Sequence, residues 1–152
     1  MIIKIKKLTD SAVIPTKATA GAAAYDVYAP LTILVKSGRQ VIDLGFAIEL
    51  PIGYEAKIEP RSGYSSKGFA GVIDYTSDHE MRFDCDVLQG KIDSDYRASI
   101  GVILCNRDRN FYIRQGQRIA QLTIYKVENA EFVPGELSDT DRGQGGFGHT
   151  GI

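Results

Sequence analysis

Two cysteines in 152 residues are too few to build a disulfide framework, which points to a reducing, intracellular setting. Long hydrophobic runs are missing too. No stretch approaches the ~18 apolar residues that a membrane span needs. The opening MIIKIKKLTD has neither the long apolar core nor the small-residue cleavage pattern of a secretory leader. The expectation is a soluble, unprocessed protein of the cytoplasm, or of the host interior if its source is a virus. An excess of either charge is absent as well: 18 Lys and Arg stand against 19 Asp and Glu, for a net charge of -1. They are scattered through one another, so there is no basic face to hold nucleic acid, and any anion must be gripped locally. Internal repeats and linkers are lacking, and the composition breaks only at a glycine-rich end. With 43% hydrophobic and 24% charged residues, the chain fits one globular domain with a sizeable core.

What is present has mostly a period of two. IIKIKKL, LTILV, VIDLGFAIEL, GYEAKIEP, ASIGVILCN, FYIRQGQ and RIAQLTIYKV alternate or run apolar over short lengths, punctuated by SGR, PIGY, SDYR and NRDRN. Short strands at even spacing predict an all-β barrel or double-sheet roll. Within GVILCN, Cys105 reads as a buried thiol. Only RSGYSSKG, with Ser62 near its start, predicts a helical turn.

Several short constellations carry candidate chemistry. EPRSGYSSKG follows a strand and offers a guanidinium fork on Arg61, the Ser62 hydroxyl and backbone amides at Gly63, a set suited to phosphate oxygens. The plain alternative is a surface turn in which Ser62 caps the helix and Arg61 lies in solvent. QGKIDSDYRASIGVILCN clusters acids in a turn before a long apolar strand. There Asp93 can accept a proton from water, and the Tyr96 ring, three residues on, can wall a pocket. A simple hairpin turn accounts for the same residues. GVIDYTSDHE repeats the Gly-x-Ile-Asp pattern with Asp74, but Ser77 replaces the aromatic ring, so Asp93 is preferred.

In GQRIAQLTI, Ile119 and Gln121 share one face of a strand while Ala120, Leu122 and Ile124 share the other. Gln121 is then either an edge residue in water or a donor aimed at a ligand. In AGAAAYDVYAP, small residues let the backbone run close to its neighbours and set Asp26 beside Tyr25. A lone carboxylate of this kind reaches a Mg²⁺ ion through water or serves structure alone. The end, RGQGGFGHTGI, places five glycines around one Arg and one Phe. Such a segment loses much entropy on ordering and buries little, so it is built to close on something.

Taken together, AGAAAYDVYA, PRSG, GKIDSDYR, GQRIAQL and RGQGGFGHTG resemble, in order and across nearly the whole chain, the five motifs of the trimeric dUTPase family. The resemblance implies a jelly-roll-like β barrel over residues 1–141, assembled as a homotrimer with shared active sites, and a mobile arm over residues 142–152. The implied reaction splits dUTP into dUMP and pyrophosphate by attack on the α-phosphorus. It keeps uracil out of DNA and supplies dUMP for dTMP synthesis. By resemblance, Asp93 is the general base. Tyr96 lies against the deoxyribose and leaves no room for a 2′-hydroxyl. The turn at Gly90, Lys91 and Ile92 reads the uracil edge, with Gly101 allowing close approach. Arg61, Ser62, Gly63 and Gln121 hold the phosphates. Mg²⁺ rides on the triphosphate, and Asp26 touches it through water. Arg142 meets the γ-phosphate, Phe147 stacks over uracil, and Gly148, His149 and Thr150 close the phosphate end.

Three departures stand out. Gln117 occupies a position where many members carry an acid, and Ala98 one where Gly is usual. The stretch 70–84 is extra between the second and third motifs. Its alternating residues around TSDHE predict an added hairpin, which can pack on the trimer, cover the pocket mouth or bind a protein partner. Two other functions fit the motifs less well. A dCTP deaminase of related fold needs a Glu near the base, and the GKIDSDYR turn supplies Asp93 instead. A dUTP-sensing module would keep the site and use the extra hairpin for docking. No nucleic acid or membrane partner is expected.

Overall fold

The segments with a period of two become strands in the computed structural model, which describes residues 1–145. In chain order they are β1 (Lys4–Lys7), β2 (Tyr25–Tyr28), β3 (Ile33–Val35), β4 (Gly38–Asp43), β5 (Phe46–Glu49) and β6 (Tyr54–Glu59). A single short helix, α1 (Ser62–Lys67), comes next. Then follow β7 (Phe69–Gly71), β8 (Met81–Phe83), β9 (Cys85–Leu88), β10 (Gly90–Ile92), β11 (Gly101–Asn106), β12 (Phe111–Ile113) and β13 (Arg118–Lys126). Two sheets carry the site: a four-stranded one ordered β10-β6-β13-β2 and a three-stranded one ordered β4-β11-β9. The pairs β1-β5, β12-β3 and β7-β8 complete an all-β, jelly-roll-like barrel around one apolar cluster.

Alternation explains which side chains enter that cluster. In β6, Ala56 and Ile58 are buried while Glu55, Lys57 and Glu59 face outward and tie to neighbouring strands. Glu59 accepts from Thr123 Oγ1 at 2.8 Å and Gln89 Nε2 at 3.1 Å, and Glu55 pairs with Lys91 at 2.7 Å. The strand is thereby stitched to β13 and β10 on its polar face.

β13 departs from the expected faces at one residue. A register shift between Arg118 and Ala120 lets Ile119 and Ala120 both bury completely, after which Leu122 points inward and Gln121 outward as the alternation predicts. The thiols also differ from expectation. β11 alternates, so Cys105 faces outward and is half-buried, while Cys85 on the paired strand β9 lies in the core. Cys85 stands opposite Asn106 and Cys105 opposite Asp86, which puts the two thiols on opposite faces of the sheet. Burial, reinforced by Asp86, pushes the Cys85 thiol up to about 12.

Residues 69–83 form a hairpin whose root belongs to the core. Phe69 pairs with Phe83 across β7-β8, and the Phe83 ring stacks on Phe111 at 4.2 Å with an interplanar angle of 8°. Beyond the root, Val72 bridges Tyr112, and Arg114 binds the Ser77 carbonyl and pairs with Asp78 at 3.6 Å. Gln117 gives its position a local reason. Its amide donates to the Ala70 carbonyl at 2.7 Å and to the Tyr64 hydroxyl at 3.2 Å, bonds that a carboxylate could not donate.

Candidate active site

β10 and β11 leave a cavity of ≈ 310 Å³ between them. Gly90, Lys91, Ile92, Tyr96 and Gly101 all line it, so five residues singled out in the sequence meet in one place. β10 gets there by pairing with β6, Gly90 opposite Ile58 and Ile92 opposite Ala56, and Ile92 anchors it by burying its side chain. Gly101 keeps the wall of the cavity open. A Cβ there would stand 2.6 Å from Val41 Cγ1, so a side chain would have to push the exposed Val41 methyl aside.

The turn between the two strands starts at Asp93, which is exposed, and closes with the Tyr96 N–H donating to the Asp93 carbonyl at 3.2 Å. Arg97 knots it further, donating to the Ser94 carbonyl at 2.6 Å and to that of Tyr96 at 2.9 Å. The Tyr96 hydroxyl donates to the Ser99 carbonyl at 3.0 Å, and the residue, 43% exposed, lines the cavity. Ser99 is held in turn: its hydroxyl donates to Asp43 Oδ1, which also accepts the Gly45 N–H at 2.8 Å. Asp43 and Ser99 both line the cavity, and neither was singled out from the sequence. The available signal was a lone carboxylate inside the apolar run VIDLGF.

Lys91, the one cation among the described residues lining the cavity, is paired with Glu55. Their hydrogen bond, aided by Lys57, holds the Glu55 carboxyl below its ordinary value, and the same bond raises Lys91. Asp74, the competing Gly-x-Ile-Asp acid, lies instead on the exposed turn of the hairpin. There its Oδ1 accepts from the Thr76 amide at 2.9 Å and the Thr76 hydroxyl at 2.8 Å, which hold its carboxyl below the ordinary range.

A second cavity, ≈ 240 Å³, gathers Arg61, Ser62, Gly63 and Gln121. Arg61 sits at the helix entrance in an extended conformation, and no side chain caps the first turn, so Ser62 does not act as a cap. Nor does Arg61 lie free in solvent. Its Nε pairs with Asp26 Oδ1 at 3.3 Å, and its guanidinium lies 5.2 Å from the centre of the Tyr64 ring. Asp26 is buried opposite Gln121 in the β2-β13 ladder, with its Oδ2 3.5 Å from Arg118. Asp26 Oδ1 and Arg61 Nε are both buried and neither makes a hydrogen bond. Among the described residues no group of three or more His, Cys, Asp or Glu could hold a metal ion; Asp26 lies behind this cavity with its Oδ1 paired to Arg61.

The structure does not bring Arg142 to either cavity. It is exposed near the end of the described chain, its Nε donating to the Gly145 carbonyl at 2.9 Å. Phe147, Gly148, His149 and Thr150 lie outside the described residues. No helix among the described residues is long and apolar enough to cross a membrane.

The chain is thus an all-β barrel of the jelly-roll kind with two separate cavities, one beside Gly101 and one beside Arg61, Ser62 and Gly63. The dUTPase family model matches residues 10–151, and the chain belongs to the dUTPase family. It is 42% identical to the deoxyuridine 5′-triphosphate nucleotidohydrolase of Nautilia profundicola, covering 99% of each chain. To the protein of the same name from Hydrogenobaculum sp. it is 40% identical, over 100% of this chain and 99% of that one. Among solved structures, Staphylococcus bacteriophage 80alpha dUTPase with dUPNHPP superposes with a TM-score of 0.82 at 24% identity, covering 99% of both chains. A mutant dUTPase from phage phi11 of S. aureus, in which a structural Mg(II) ion is coordinated, superposes at 0.75 with 21% identity, over 90% of this chain and 98% of that one.

Proposed function

We propose that the chain hydrolyses dUTP to dUMP and pyrophosphate, acting as a homotrimer inside the cell, in the cytoplasm. The observation that carries this reading is the ≈ 310 Å³ cavity, where strand β10 (Gly90–Ile92), Tyr96 and the bare Cα of Gly101 form a slot next to the turn that starts at Asp93. Backbone groups at Gly90, Lys91 and Ile92 read the uracil edge. On this reading the slot leaves no room for the methyl of thymine, and fixed main-chain donors and acceptors reject the reversed pattern of cytosine. The Tyr96 ring, held by the Ser99 carbonyl, fills the space a 2′-hydroxyl would need. The described lining of the slot holds no Glu, which favours this reading over a deaminase.

Asp93 orients a water and takes its proton as the water oxygen attacks the α-phosphorus; the bond from that phosphorus to the bridging oxygen breaks, and pyrophosphate leaves. Arg61, Ser62, Gly63 and Gln121 hold the phosphate chain. Bound Mg²⁺ supplies charge neutralisation on the triphosphate oxygens. Asp26, with one buried oxygen that accepts no hydrogen bond, fits the role of acceptor for a metal-bound water. Arg61 covers that oxygen, so turning Arg61 toward phosphate also uncovers Asp26.

Assembly follows from what one chain leaves unfinished. The base slot and the phosphate cradle are separate cavities. Phe132 and Leu137, in the segment after β13, are 96% and 94% exposed, and an apolar cavity of ≈ 380 Å³ lies open beside Ile5, Tyr25 and Ile124. Neighbouring copies cover these surfaces and join one copy's slot to another's cradle. The arm from Arg142 onward then closes over the nucleotide, and its glycines permit the wrap. The test is release of pyrophosphate, and of ammonia, from dUTP, UTP, dCTP and dTTP with Mg²⁺. Pyrophosphate from dUTP alone supports the reading; ammonia from dCTP, or dUTP binding without turnover, overturns it.

A further inference from the structure

The ≈ 240 Å³ cavity has lining residues from a segment that no phosphate-binding pattern predicts. Besides Arg61, Ser62, Gly63 and Gln121 it is lined by Lys67 at the end of α1 and by Arg82 of the β7-β8 hairpin. We propose that Arg82 is a phosphate-binding residue, by which the hairpin completes the grip on the outer phosphates of the bound nucleotide. This rests on the reading of the site as a triphosphate site.

The position of Arg82 is fixed from both sides. Its neighbour Phe83 is buried and stacked on Phe111, and Ala70, directly opposite it in the ladder, is buried too. Gly68, at φ +83, lets the hairpin lie against the end of α1. A Cβ there would meet the Phe83 carbonyl at 2.9 Å and Arg82 Cβ at 3.4 Å. The base of the Arg82 side chain is therefore as well ordered as the core beneath it, which is what a binding residue needs to act without a large ordering cost.

The charge at the site is one-sided. The lining holds three cations, Arg61, Lys67 and Arg82, and no carboxylate. Asp26 engages Arg61 from the barrel side, and Arg82 is engaged by Glu80 at 3.1 Å with side chains 46% and 59% exposed. An ion pair so open to water is weak and screened, so a polyphosphate with several charges displaces Glu80 readily. The remaining Arg82 contact, to the Gly68 carbonyl at 3.4 Å, is long. The guanidinium is thus ordered at its root and loosely held at its head, and its planar fork matches phosphate oxygens. The cavity has no wall to seat a base: its one aromatic residue, Tyr64, is buried and spends its hydroxyl on the Arg118 carbonyl.

The experiment is calorimetric titration of the full-length protein with inorganic tripolyphosphate and, separately, with dUMP, for wild type, Arg82→Gln, Arg82→Lys and Glu80→Gln. The expected result is a loss of at least about tenfold in tripolyphosphate affinity for Arg82→Gln, equal to about 1.4 kcal/mol. Arg82→Lys, which keeps the charge but not the fork, should lose less than Arg82→Gln, Glu80→Gln should bind more tightly, and dUMP affinity should be unchanged throughout. Wild-type tripolyphosphate affinity in Arg82→Gln, an equal loss of dUMP affinity, or no tripolyphosphate binding by the wild type would overturn the assignment. Should Arg82→Gln fail to fold, Glu80→Gln decides: tighter binding supports it and unchanged binding overturns it. Turnover of dUTP is a separate readout. A wild-type protein that binds tripolyphosphate through Arg82 yet releases no pyrophosphate from dUTP refutes the hydrolase reading and leaves the Arg82 assignment standing.

Discussion

Replacing Phe83 with Ala tests whether the hairpin between α1 and β9 belongs to the core or is merely attached to it. The ring is 2% exposed, sits opposite Phe69 in the ladder and stacks face to face on Phe111 at 4.2 Å. Removing a buried phenyl group costs about 3–5 kcal/mol through lost transfer energy and the cavity left behind. The stacked pair contributes roughly 0.5–1.5 kcal/mol of that. Against a typical stability of about 5–15 kcal/mol, this is a large fraction. Phe83→Leu keeps most of the volume and should cost less, about 1.5 kcal/mol. The assay is urea unfolding at one fixed protein concentration, because the proposed assembly would make the midpoint concentration-dependent. The chain has eight tyrosines and no tryptophan, so tyrosine fluorescence and circular dichroism are the suitable probes. A loss below about 1 kcal/mol for Phe83→Ala would show that the Phe83–Phe111 stack does not anchor the hairpin.

Three further outcomes follow from the site and its supports. Asp43→Ala removes the acceptor shared by Ser99 Oγ and the Gly45 amide; because Asp43 is exposed, the loss of stability should be about 1–2 kcal/mol, smaller in Asp43→Asn, as read by thermal unfolding. No loss in Asp43→Ala would show that the turn holds itself. Glu55, held by Lys91 below its ordinary value of 4.5, stabilises the fold fully above that pH, and the contribution fades as pH falls through the lower folded value. The stability difference between wild type and Glu55→Gln should therefore be flat near neutrality and shrink in acid, and a difference that grows in acid would contradict the ion pair. The Cys85 thiol, pushed up to about 12 in the core, should resist a thiol reagent at pH 8 until the protein unfolds, while the half-buried Cys105 reacts first. Equal rates for the two would contradict the alternation of the β9-β11 ladder.

Most of the strands were legible because a period of two survives in short segments, and the meeting of five named residues at the cavity between β10 and β11 was legible because four of them lie within Gly90–Tyr96. Local patterning carries that much. Contacts made across the fold are where it stops. Asp43 reaches the slot only because β4 pairs with β11, setting Asp43 opposite Gly101. Arg82 reaches the ≈ 240 Å³ cavity beside Arg61 only because Phe83 is pulled into the core beside it. The irregularity at Arg118 and Ala120 buries Ile119 against its expected face, since one shifted residue reverses the inside and outside of what precedes it. Cys105 was misjudged because an apolar run was read as buried on both sides, whereas β11 shows its odd-numbered side chains on the outer face of its sheet. Gln117, a departure from the family pattern, proved to be a tie between the hairpin and α1.

The measurement closest to the heart of the matter is the rate of pyrophosphate release from dUTP by wild type, Asp93→Asn and Asp74→Asn, with binding of a non-hydrolysable dUTP analogue measured alongside. Asp93→Asn should lose a factor of about 10²–10⁴ in rate while keeping the analogue, and Asp74→Asn should behave as wild type. An active Asp93→Asn beside a dead Asp74→Asn would contradict the placement of the reaction in the slot between β10 and β11.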